Sequence, residues 1–394
     1  MIRSLWSAAS GMLAQQMNVD TIANNLANVN TPGFKKSRVE FEDLLYQVIR
    51  PPQQIGTGRD ARTVPGLDVG LGVRPVATLR QFSPGNLQPT DNPNDFAVRG
   101  EGFFVVTDGT AKFYTRAGNF QLDGAGNLVT PEGYKLLSAT GQPIRIDLGQ
   151  TMAAKATTKV TLGGILSSNT PLQPDPGSSF TQGFGITDSR GGPQSINLTF
   201  THTAANTWTV SNGTATTTLT IDPTTGKPTG TASLSVTYTP AYTGATAQTV
   251  VFDLTQLISN NQPTDVNVAT QDGTSAGKVS GYSVGPDGTV TLAFTNGQTQ
   301  QGSQIGLARF TNPAGLLAVG QNLYQETATS GQAQTGKPGS NPFGTLAQSA
   351  LETSNVQVVE EMVNLIVAQR AYEINSKAVQ SSDEMLGIAN GLRR

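Results

Sequence analysis

The sequence predicts a mainly β protein that carries a long α-helix at each end of the chain. Apolar residues recur three and four positions apart near both termini, which is the helical period. Between the termini lie short β-branched and aromatic runs separated by turn dipeptides such as Asp-Gly and Asn-Gly, which are typical of antiparallel hairpins. A threonine-rich block interrupts these runs, so the β domains are predicted to be nested.

The N-terminal helix is predicted from an apolar stripe with the coiled-coil period. The Asn-Thr-Pro-Gly sequence at residues 30–33 then ends the helix, because proline and glycine disfavour its continuation. The stripe consists of Leu5, Ala8, Met12, Gln15, Val19, Ile22, Leu26 and Val29.

The C-terminal helix is predicted within residues 351–394. Ser354 and Gln357 form a capping-box signature, and Glu360 with Glu361 places negative charge where the helix dipole favours it. Two apolar stripes follow, one through Val356, Val359, Val363 and Ile366, the other through Val358, Met362, Leu365, Tyr372 and Val379, and Ile374 is a further predicted packing residue.

The two stripes suggest that this helix has more than one neighbour. A single stripe is enough to pack against one partner helix, whereas two stripes indicate contacts with several elements. Long helices at opposite ends of a chain therefore suggest an assembly protein. The alternative is an intramolecular helical hairpin that closes a domain.

The region between the helices is predicted to contain one β domain inserted into another. Residues 91–156 and 272–326 share one rhythm of strands and turns, which indicates a single inner domain in two parts. The predicted order is an N-terminal axial helix (1–34), an extended arm (35–90), the inner β domain (91–156), an inserted outer β domain (157–271), the inner domain again (272–326), a linker (327–350) and a C-terminal axial helix (351–394).

Residues 51–75 of the arm are rich in glycine and proline and show little periodicity. A structureless stretch of this length is unusual inside a compact domain, so we expect it to lie against a partner. A flexible linker is the alternative.

Composition excludes several function classes. The net charge of −2 argues against a nucleic-acid-binding surface. The absence of cysteine removes disulfides, thiolate metal sites and cysteine nucleophiles. No apolar run is long enough to span a bilayer, so we do not expect an integral membrane protein. Residues 1–20 lack the pattern of a cleaved secretory signal, so any export is expected to use another route.

The sequence offers no convincing catalytic set, and we expect no enzyme activity, metal or cofactor. The single histidine, His202, lies in a threonine-rich strand, where an exposed or edge position is expected. Most acidic residues fall in turn dipeptides, which hairpin geometry already explains. The alternatives outside an assembly role are a cell-surface glycan-binding β protein and a carboxylate glycosidase acting on the cell wall.

Motifs near both termini resemble those of a known family. Residues 100–104, 114–120 and 310–316 carry further motifs of the same kind in the β region. The terminal motif residues are Asn24, Asn25, Asn28, Pro32, Gly33 and Phe34 in the first helix and its exit, and Gln369, Arg370 and Asn375 in the last helix. Together these stretches resemble the bacterial flagellar rod and hook family of axial proteins.

The resemblance implies a structural subunit of a hollow helical tube. The terminal helices would pair as a coiled coil around a channel, and the β domains would form outer layers. Features at both termini and in residues 51–75 imply a subunit of the distal rod, which transmits torque and conducts exported subunits. The alternative is a hook subunit acting as a universal joint, because residues 157–271 resemble a hook outer domain.

The same resemblance implies the partners and the location. The partners would be further copies of this chain, neighbouring rod and hook proteins, ring proteins around the rod and the flagellar type III export apparatus. The location would be the periplasm-spanning rod of the basal body, reached without a cleaved signal peptide. Polar residues of the last helix, such as Gln369, Arg370, Asn375 and Ser376, would contact neighbouring helices or line the channel.

Overall fold

A computed structural model describes residues 2–55, 62–175, 177–230, 232–242 and 246–391. The chain forms two compact units. Unit 1 comprises Met1–Ile146, Ser283–Thr291 and Gln301–Arg394, and unit 2 comprises Asp147–Tyr282 and Leu292–Gln300. No helix in the described ranges combines the length and the apolar character that crossing a membrane requires.

Two long helices belong to unit 1, namely α1 (Ile2–Ala27) and α2 (Val358–Gly391). The prediction of a mainly β protein with a helix at each end is therefore confirmed. Helix α2 begins later than the sequence indicates, because Ala350–Glu352 is a β-strand. Ser354 accepts a hydrogen bond from the backbone nitrogen of Val356 at 3.3 Å and lies too far upstream to cap the helix, so the capping-box prediction is wrong.

The strands of unit 1 before residue 147 form a ribbon and the first part of a β domain. They are β1 (Ser37–Asp43), β2 (Tyr46–Arg50), β3 (Gln53–Ile55), β4 (Arg62–Val64), β5 (Leu67–Gly70), β6 (Val73–Arg80), β7 (Leu87–Pro89), β8 (Phe96–Arg99), β9 (Phe103–Thr107), β10 (Lys112–Thr115), β11 (Gln121–Leu122), β12 (Leu128–Val129) and β13 (Lys135–Leu136).

The next strands lie mainly in unit 2, and the chain then returns to unit 1. They are β14 (Thr151–Met152), β15 (Lys159–Ser167), β16 (Ser179–Thr187), β17 (Pro193–Ala204), β18 (Thr207–Ser211), β19 (Thr216–Thr220), β20 (Ser233–Tyr238), β21 (Gln248–Asn260), β22 (Asp265–Gln271), β23 (Gly277–Val284), β24 (Thr289–Phe294), β25 (Thr299–Gln304), β26 (Leu307–Arg309), β27 (Leu317–Gly320), β28 (Leu323–Gln325), β29 (Gln334–Gly336), β30 (Thr345–Gln348) and β31 (Ala350–Glu352).

The extended arm is a two-stranded antiparallel ribbon rather than an irregular loop. Strand β1 pairs with β6, β2 with β5, and β3 with β4. Sequence periodicity does not reveal these strands because β2 and β5 are exposed throughout, and alternation arises only when one face is buried. Residues 56–61, which fall within the predicted arm, lie outside the described residues.

The main sheet of unit 1 has the strand order β11-β12-β13-β9-β10-β28-β27, and β26 pairs with both β9 and β29. Its buried aromatic residues meet edge to face, as Tyr114 and Phe310 do with ring centres 4.7 Å apart. Strand β30 pairs with β8, so the prediction of a linker at residues 327–350 is wrong. Backbone pairing needs no apolar pattern, which is why the composition of this segment was misleading.

A hydrophobic core of unit 2 is enclosed by two four-stranded sheets, β20-β21-β15-β22 and β16-β17-β18-β19. Along β17, buried Leu198 and Phe200 alternate with Thr199 and Thr201, and Leu162 and Phe252 from the other sheet add to the same core. The prediction that His202 is exposed is wrong. The imidazole is buried, with Nδ1 2.7 Å from the Thr170 carbonyl oxygen and the ring stacked on Trp208, because His202 shares the inward face with Phe200.

Candidate assembly surface

The two terminal helices run antiparallel and touch along their length. The hydroxyl groups of Ser4 and Ser382 lie 3.2 Å apart near one end of the pair. At the other end, Asn25 Nδ2 donates to the Glu361 carboxylate at 3.3 Å. Between these contacts, Gly11 faces Asn375, whose Nδ2 would lie 2.8 Å from a Cβ added to the glycine. These contacts fix which residues of α1 face which residues of α2.

Small side chains allow the helices to approach closely. Ala8 and Ala14 of α1 are buried, and so is Ala368 of α2. The predicted apolar stripe of α1 contributes less to the contact between the helices. Ile22 is the only large apolar residue of this stripe that is buried. Half-buried positions on the two helices or next to α1 are Leu5, Met12, Val19, Leu26, Val29, Leu365 and Val379.

One apolar face of α2 is left open to solvent. Val359 is 78% exposed and Ile374 is 66% exposed, although both are large apolar residues. The predicted packing residues that lie exposed are Val359, Met362, Val363, Ile366, Tyr372 and Ile374, whereas Val356 is buried and precedes the helix. Val367, which the stripe prediction missed, is exposed as well. We name the exposed set Val359, Val363, Ile366, Val367 and Ile374 the outer stripe.

Asn25 connects three elements at the end of the helix pair. Besides Glu361, its Nδ2 donates to the carbonyl oxygen of Ser37 at 2.8 Å, and its Oδ1 accepts from the Ser37 backbone nitrogen at 2.9 Å. Asn25 is buried, so these bonds replace its hydration. The amide therefore ties α1 to α2 and to the start of β1, a role that sequence reasoning did not assign to Ser37 or Glu361.

The remaining N-terminal motif residues shape the exit from α1. Asn28 Oδ1 accepts from the Thr31 hydroxyl at 3.1 Å, and the Pro32 carbonyl accepts from Asn322 at 3.2 Å. Gly33 has φ +71, and a Cβ there would lie 2.4 Å from the Ala117 nitrogen, so this position requires glycine. Asn24 is exposed and Phe34 is half-buried.

The C-terminal motif residues lie in different surroundings along α2. Asn375 is half-buried over Gly11, whereas Gln369 and Arg370 are exposed. Arg370 forms an ion pair with Glu373 at 2.9 Å on the helix surface. A shallow cleft of about 380 Å³ between the helices is lined by Gln16, Val19, Gln369, Tyr372 and Glu373.

A buried ionic cluster lies where the chain leaves the helices. Lys35 Nζ is 2.6 Å from Glu352 Oε1, and Arg116 is 3.2 Å from Glu352 Oε2. Lys35 also donates to the Ser83 carbonyl at 2.8 Å, and the Gly85 nitrogen donates to Glu352 at 2.9 Å. Three segments that are distant in sequence therefore meet on one carboxylate.

Burial controls the electrostatics of this cluster. The side chains of Lys35 and Glu352 have no solvent exposure, and that of Arg116 is 4% exposed. Burial lowers the pKa of the Lys35 ammonium, and the Glu352 carboxylate opposes that shift. Burial also lowers the pKa of Arg116, again against the effect of Glu352. The single carboxylate therefore offsets the desolvation of two cations.

The β2–β5 part of the ribbon presents a second exposed apolar surface. Leu45, at the start of this part, is 84% exposed. Tyr46, Val48 and Ile49 are exposed in strand β2, and Leu67 is exposed in strand β5. An isolated two-stranded ribbon is marginally stable in water, so these residues favour a ribbon that lies against another surface.

The described ranges contain no cluster of histidine and acidic residues that could hold a metal ion. The outer stripe of α2 and the β2–β5 part of the ribbon are the exposed apolar surfaces described above in unit 1.

Comparison with known proteins identifies the family. Three family models match, namely "Flagella basal body rod protein" at residues 5–35, "Flagellar hook protein FlgE/F/G D1 domain" at residues 97–164 and "Flagellar basal body rod FlgEFG protein C-terminal" at residues 347–392. The flagellar basal-body rod protein FlgG of Borreliella burgdorferi is 35% identical over 100% of both chains. The chain belongs to the flagellar rod and hook protein family. The resemblance inferred from the terminal motifs is confirmed.

Both branches of the flagellar rod and hook family align with the whole chain. The flagellar hook protein FlgE of Salmonella typhimurium is 34% identical over 99% of this chain and 100% of its own. Among solved structures, the flagellar hook protein FlgE2 of Helicobacter pylori matches with a TM-score of 0.47 and 16% identity, covering 68% of this chain and 100% of its own. The Borreliella and Salmonella relatives are named as rod and hook proteins.

Proposed function

We propose that this protein is a structural subunit of the bacterial flagellar distal rod. It polymerises into a hollow helical tube that transmits torque and conducts exported subunits. The observation that carries this proposal is the outer stripe of α2, which stays exposed although α2 already packs against α1.

The outer stripe supplies a physical reason for polymerisation. Removing one Val or Ile side chain from water stabilises an interface by about 1.5–3 kcal/mol, so five such residues form a substantial contact. The outer stripe is apolar, whereas the contact between α1 and α2 consists of small and polar residues at Gly11 and Asn375. The two surfaces of α2 are therefore unlike each other. A contact between two unlike surfaces that does not close into a ring generates a helical polymer.

The ribbon supports the same proposal. In the polymer it lies against adjacent subunits and buries Leu45, Val48 and Ile49, which are exposed in the single chain. Such contacts between neighbours stiffen the tube, as a drive shaft requires. The described part of residues 51–75, the stretch that the resemblance to distal rod proteins involves, contributes the ribbon strands β3, β4, β5 and the start of β6.

A hook subunit is the second candidate function. It is favoured by unit 2, which has its own core, and by the match to a hook protein along the full chain. Deleting the gene and imaging basal bodies distinguishes the two. A rod that lacks its distal segment supports the distal rod, and a complete rod without its curved extension supports the hook.

The partners follow from this role. They are other copies of the chain, neighbouring rod and hook proteins, the rings around the rod and the type III export apparatus that delivers the subunit. The location is the basal body, in the rod that spans the periplasm. The protein acts as a structural element and not as an enzyme. This proposal is contradicted if the purified chain hydrolyses peptidoglycan and if substitution of a single Asp or Glu abolishes that activity.

The outer stripe can be tested by substituting Val363→Ser together with Ile366→Ser. Both side chains are exposed in the single chain, so its helix content and stability are expected to stay unchanged. Polymerisation, followed by electron microscopy and sedimentation, is expected to fail, and cells carrying the variant are expected to be non-motile.

The matched control is Gln380→Ser with Asp383→Ser, which has the same spacing at exposed polar positions of α2 beside the outer stripe. This control is expected to polymerise. Normal polymerisation of the Val363 and Ile366 variant contradicts the proposed role of the outer stripe.

A further inference from the structure

Three contacts between α1 and α2 fall on one repeating position of each helix. On α1 the residues are Ser4, Gly11, Asn18 and Asn25, each seven positions after the last. On α2 the residues are Glu361, Ala368, Asn375 and Ser382, again seven apart. The observed pairs, Ser4 with Ser382, Gly11 with Asn375 and Asn25 with Glu361, belong to these two series in antiparallel order.

This position is small or polar at every repeat, although the helix pair has the heptad period of a coiled coil. Apolar contacts with a seven-residue repeat survive a shift of one helix by seven residues, so they do not fix the register. A polar residue at a core position does fix it, because a shifted pairing leaves its polar atoms without partners. The register therefore depends on these small and polar pairs.

Gly11 and Asn375 discriminate most strongly between registers. Gly11 has no side chain, and the Asn375 amide occupies the space where a Cβ would lie. A shift of seven residues would place Asn375 opposite Asn18 or Ser4 instead. Opposite Asn18, two amide side chains would compete for the space that one fills in the observed register.

Asn25 connects this register to the rest of unit 1. A shift by seven residues would separate it from Glu361, while its two hydrogen bonds to Ser37 hold α1 at a fixed height relative to β1. The position of the outer stripe along α2 is then set relative to the β part of unit 1.

We propose that Gly11 and Asn375, together with Asn25 and Glu361, determine the register of the helix pair. Through this register they set the height at which the outer stripe meets neighbouring subunits, a consequence that rests on the proposed function. These are positioning residues, since they act through the alignment of α2 and need not touch a neighbouring subunit.

Disulfide trapping reads the register directly, because the chain contains no cysteine. The full-length variant Ser4→Cys with Ser382→Cys reports the observed register, where the two hydroxyl groups lie 3.2 Å apart. The variant Gln15→Cys with Asn364→Cys reports the shift of seven residues that places Asn375 opposite Ser4, a register in which the amides of Asn375 and Asn18 do not meet. After mild oxidation of the isolated chain and of its polymer, the first pair is expected to cross-link at least about tenfold more than the second.

Gly11→Asn adds a second amide opposite Asn375, and overfilling the contact is expected to lower this cross-linking ratio by about tenfold. Adding Asn375→Ala to Gly11→Asn moves the side chain from one helix to the other and is expected to restore the ratio. Gly387→Asn is the control, since a Cβ at Gly387 meets nothing within 4 Å, and the ratio is expected to stay unchanged.

An unchanged ratio in Gly11→Asn, or a failed rescue while circular dichroism shows intact helices, overturns the inference. A lowered ratio with normal polymerisation overturns its consequence for the outer stripe. If the proposed function is wrong, the Val363 and Ile366 variant polymerises normally. The cross-linking ratio does not depend on that outcome.

Discussion

Glu352 brings together parts of the chain that are far apart in sequence. Its carboxylate binds Lys35 and Arg116, and its carbonyl oxygen accepts from the Gly33 nitrogen at 2.8 Å. Lys35 follows the N-terminal motif and Arg116 lies in the β domain, so one residue next to α2 anchors both. Nothing in the local sequence around Glu352 indicates this role, because the partners lie 317 and 236 positions away.

Replacing Glu352 by glutamine is expected to lower the free energy of unfolding by about 3–5 kcal/mol, because it leaves two buried cations without an anion. Lys35→Met is expected to cost less, since it leaves Glu352 paired with Arg116. Urea denaturation followed by circular dichroism measures both.

The control for Glu352→Gln is Glu40→Gln, which removes the exposed ion pair with Arg38. Exposed pairs contribute about 0–1 kcal/mol, so this change is expected to be small. Equal effects of Glu352→Gln and Glu40→Gln would show that the buried cluster does not stabilise unit 1.

Helix α2 and the ribbon both carry exposed apolar surface, for different reasons. In α2 Leu365 and Val379 are half-buried, whereas Met362 and Tyr372 of the same predicted stripe are exposed, as is the outer stripe. In the ribbon, β2 and β5 are exposed on both faces, which no sequence pattern anticipated because neither face alternates. Both surfaces fit a chain that completes its core with neighbouring copies.

Leu45→Ser with Ile49→Ser tests the ribbon at this scale. The two side chains are exposed, so the free energy of unfolding of the single chain is expected to change by less than about 0.5 kcal/mol. The bending stiffness of the polymer, measured from electron micrographs, is expected to fall because contacts between neighbours are lost.

Gln47→Ser, at an exposed polar position of the same strand, serves as the control for the ribbon and should leave stiffness unchanged. If the Leu45 and Ile49 variant forms polymers as stiff as the control does, the ribbon does not contact neighbouring subunits.

At the scale of the whole molecule, the chain forms two compact units, each with a hydrophobic core. The aromatic core of unit 1 includes Phe103 and Phe310, and the core of unit 2 includes Phe200 and Phe252. Unit 1 is built from both ends of the chain, so many of its contacts join residues far apart in sequence. Unit 2 is built from one nearly continuous segment.

Separate cores are expected to produce two thermal transitions in scanning calorimetry. Phe252→Ala removes a fully buried ring from unit 2 and is expected to destabilise that unit by about 3–5 kcal/mol, lowering one transition only.

Thr249→Ala, on the exposed face of the same strand, provides the matched control and is expected to leave both transitions in place. A single transition that shifts as a whole with Phe252→Ala would show that the two units unfold together.

The sequence by itself determined the terminal helices, the hairpin-rich β region, the interruption by a threonine-rich block and the family. Local hydrophobic periods, turn dipeptides and contiguous motifs indicate these features. Only the tertiary structure decided that His202 is buried against Trp208, that Gly11 receives Asn375, that Glu352 joins Lys35 to Arg116 and that residues 327–350 add strands to sheets. Such contacts join residues distant in sequence, and periodicity within a window carries no information about which distant residue a side chain meets.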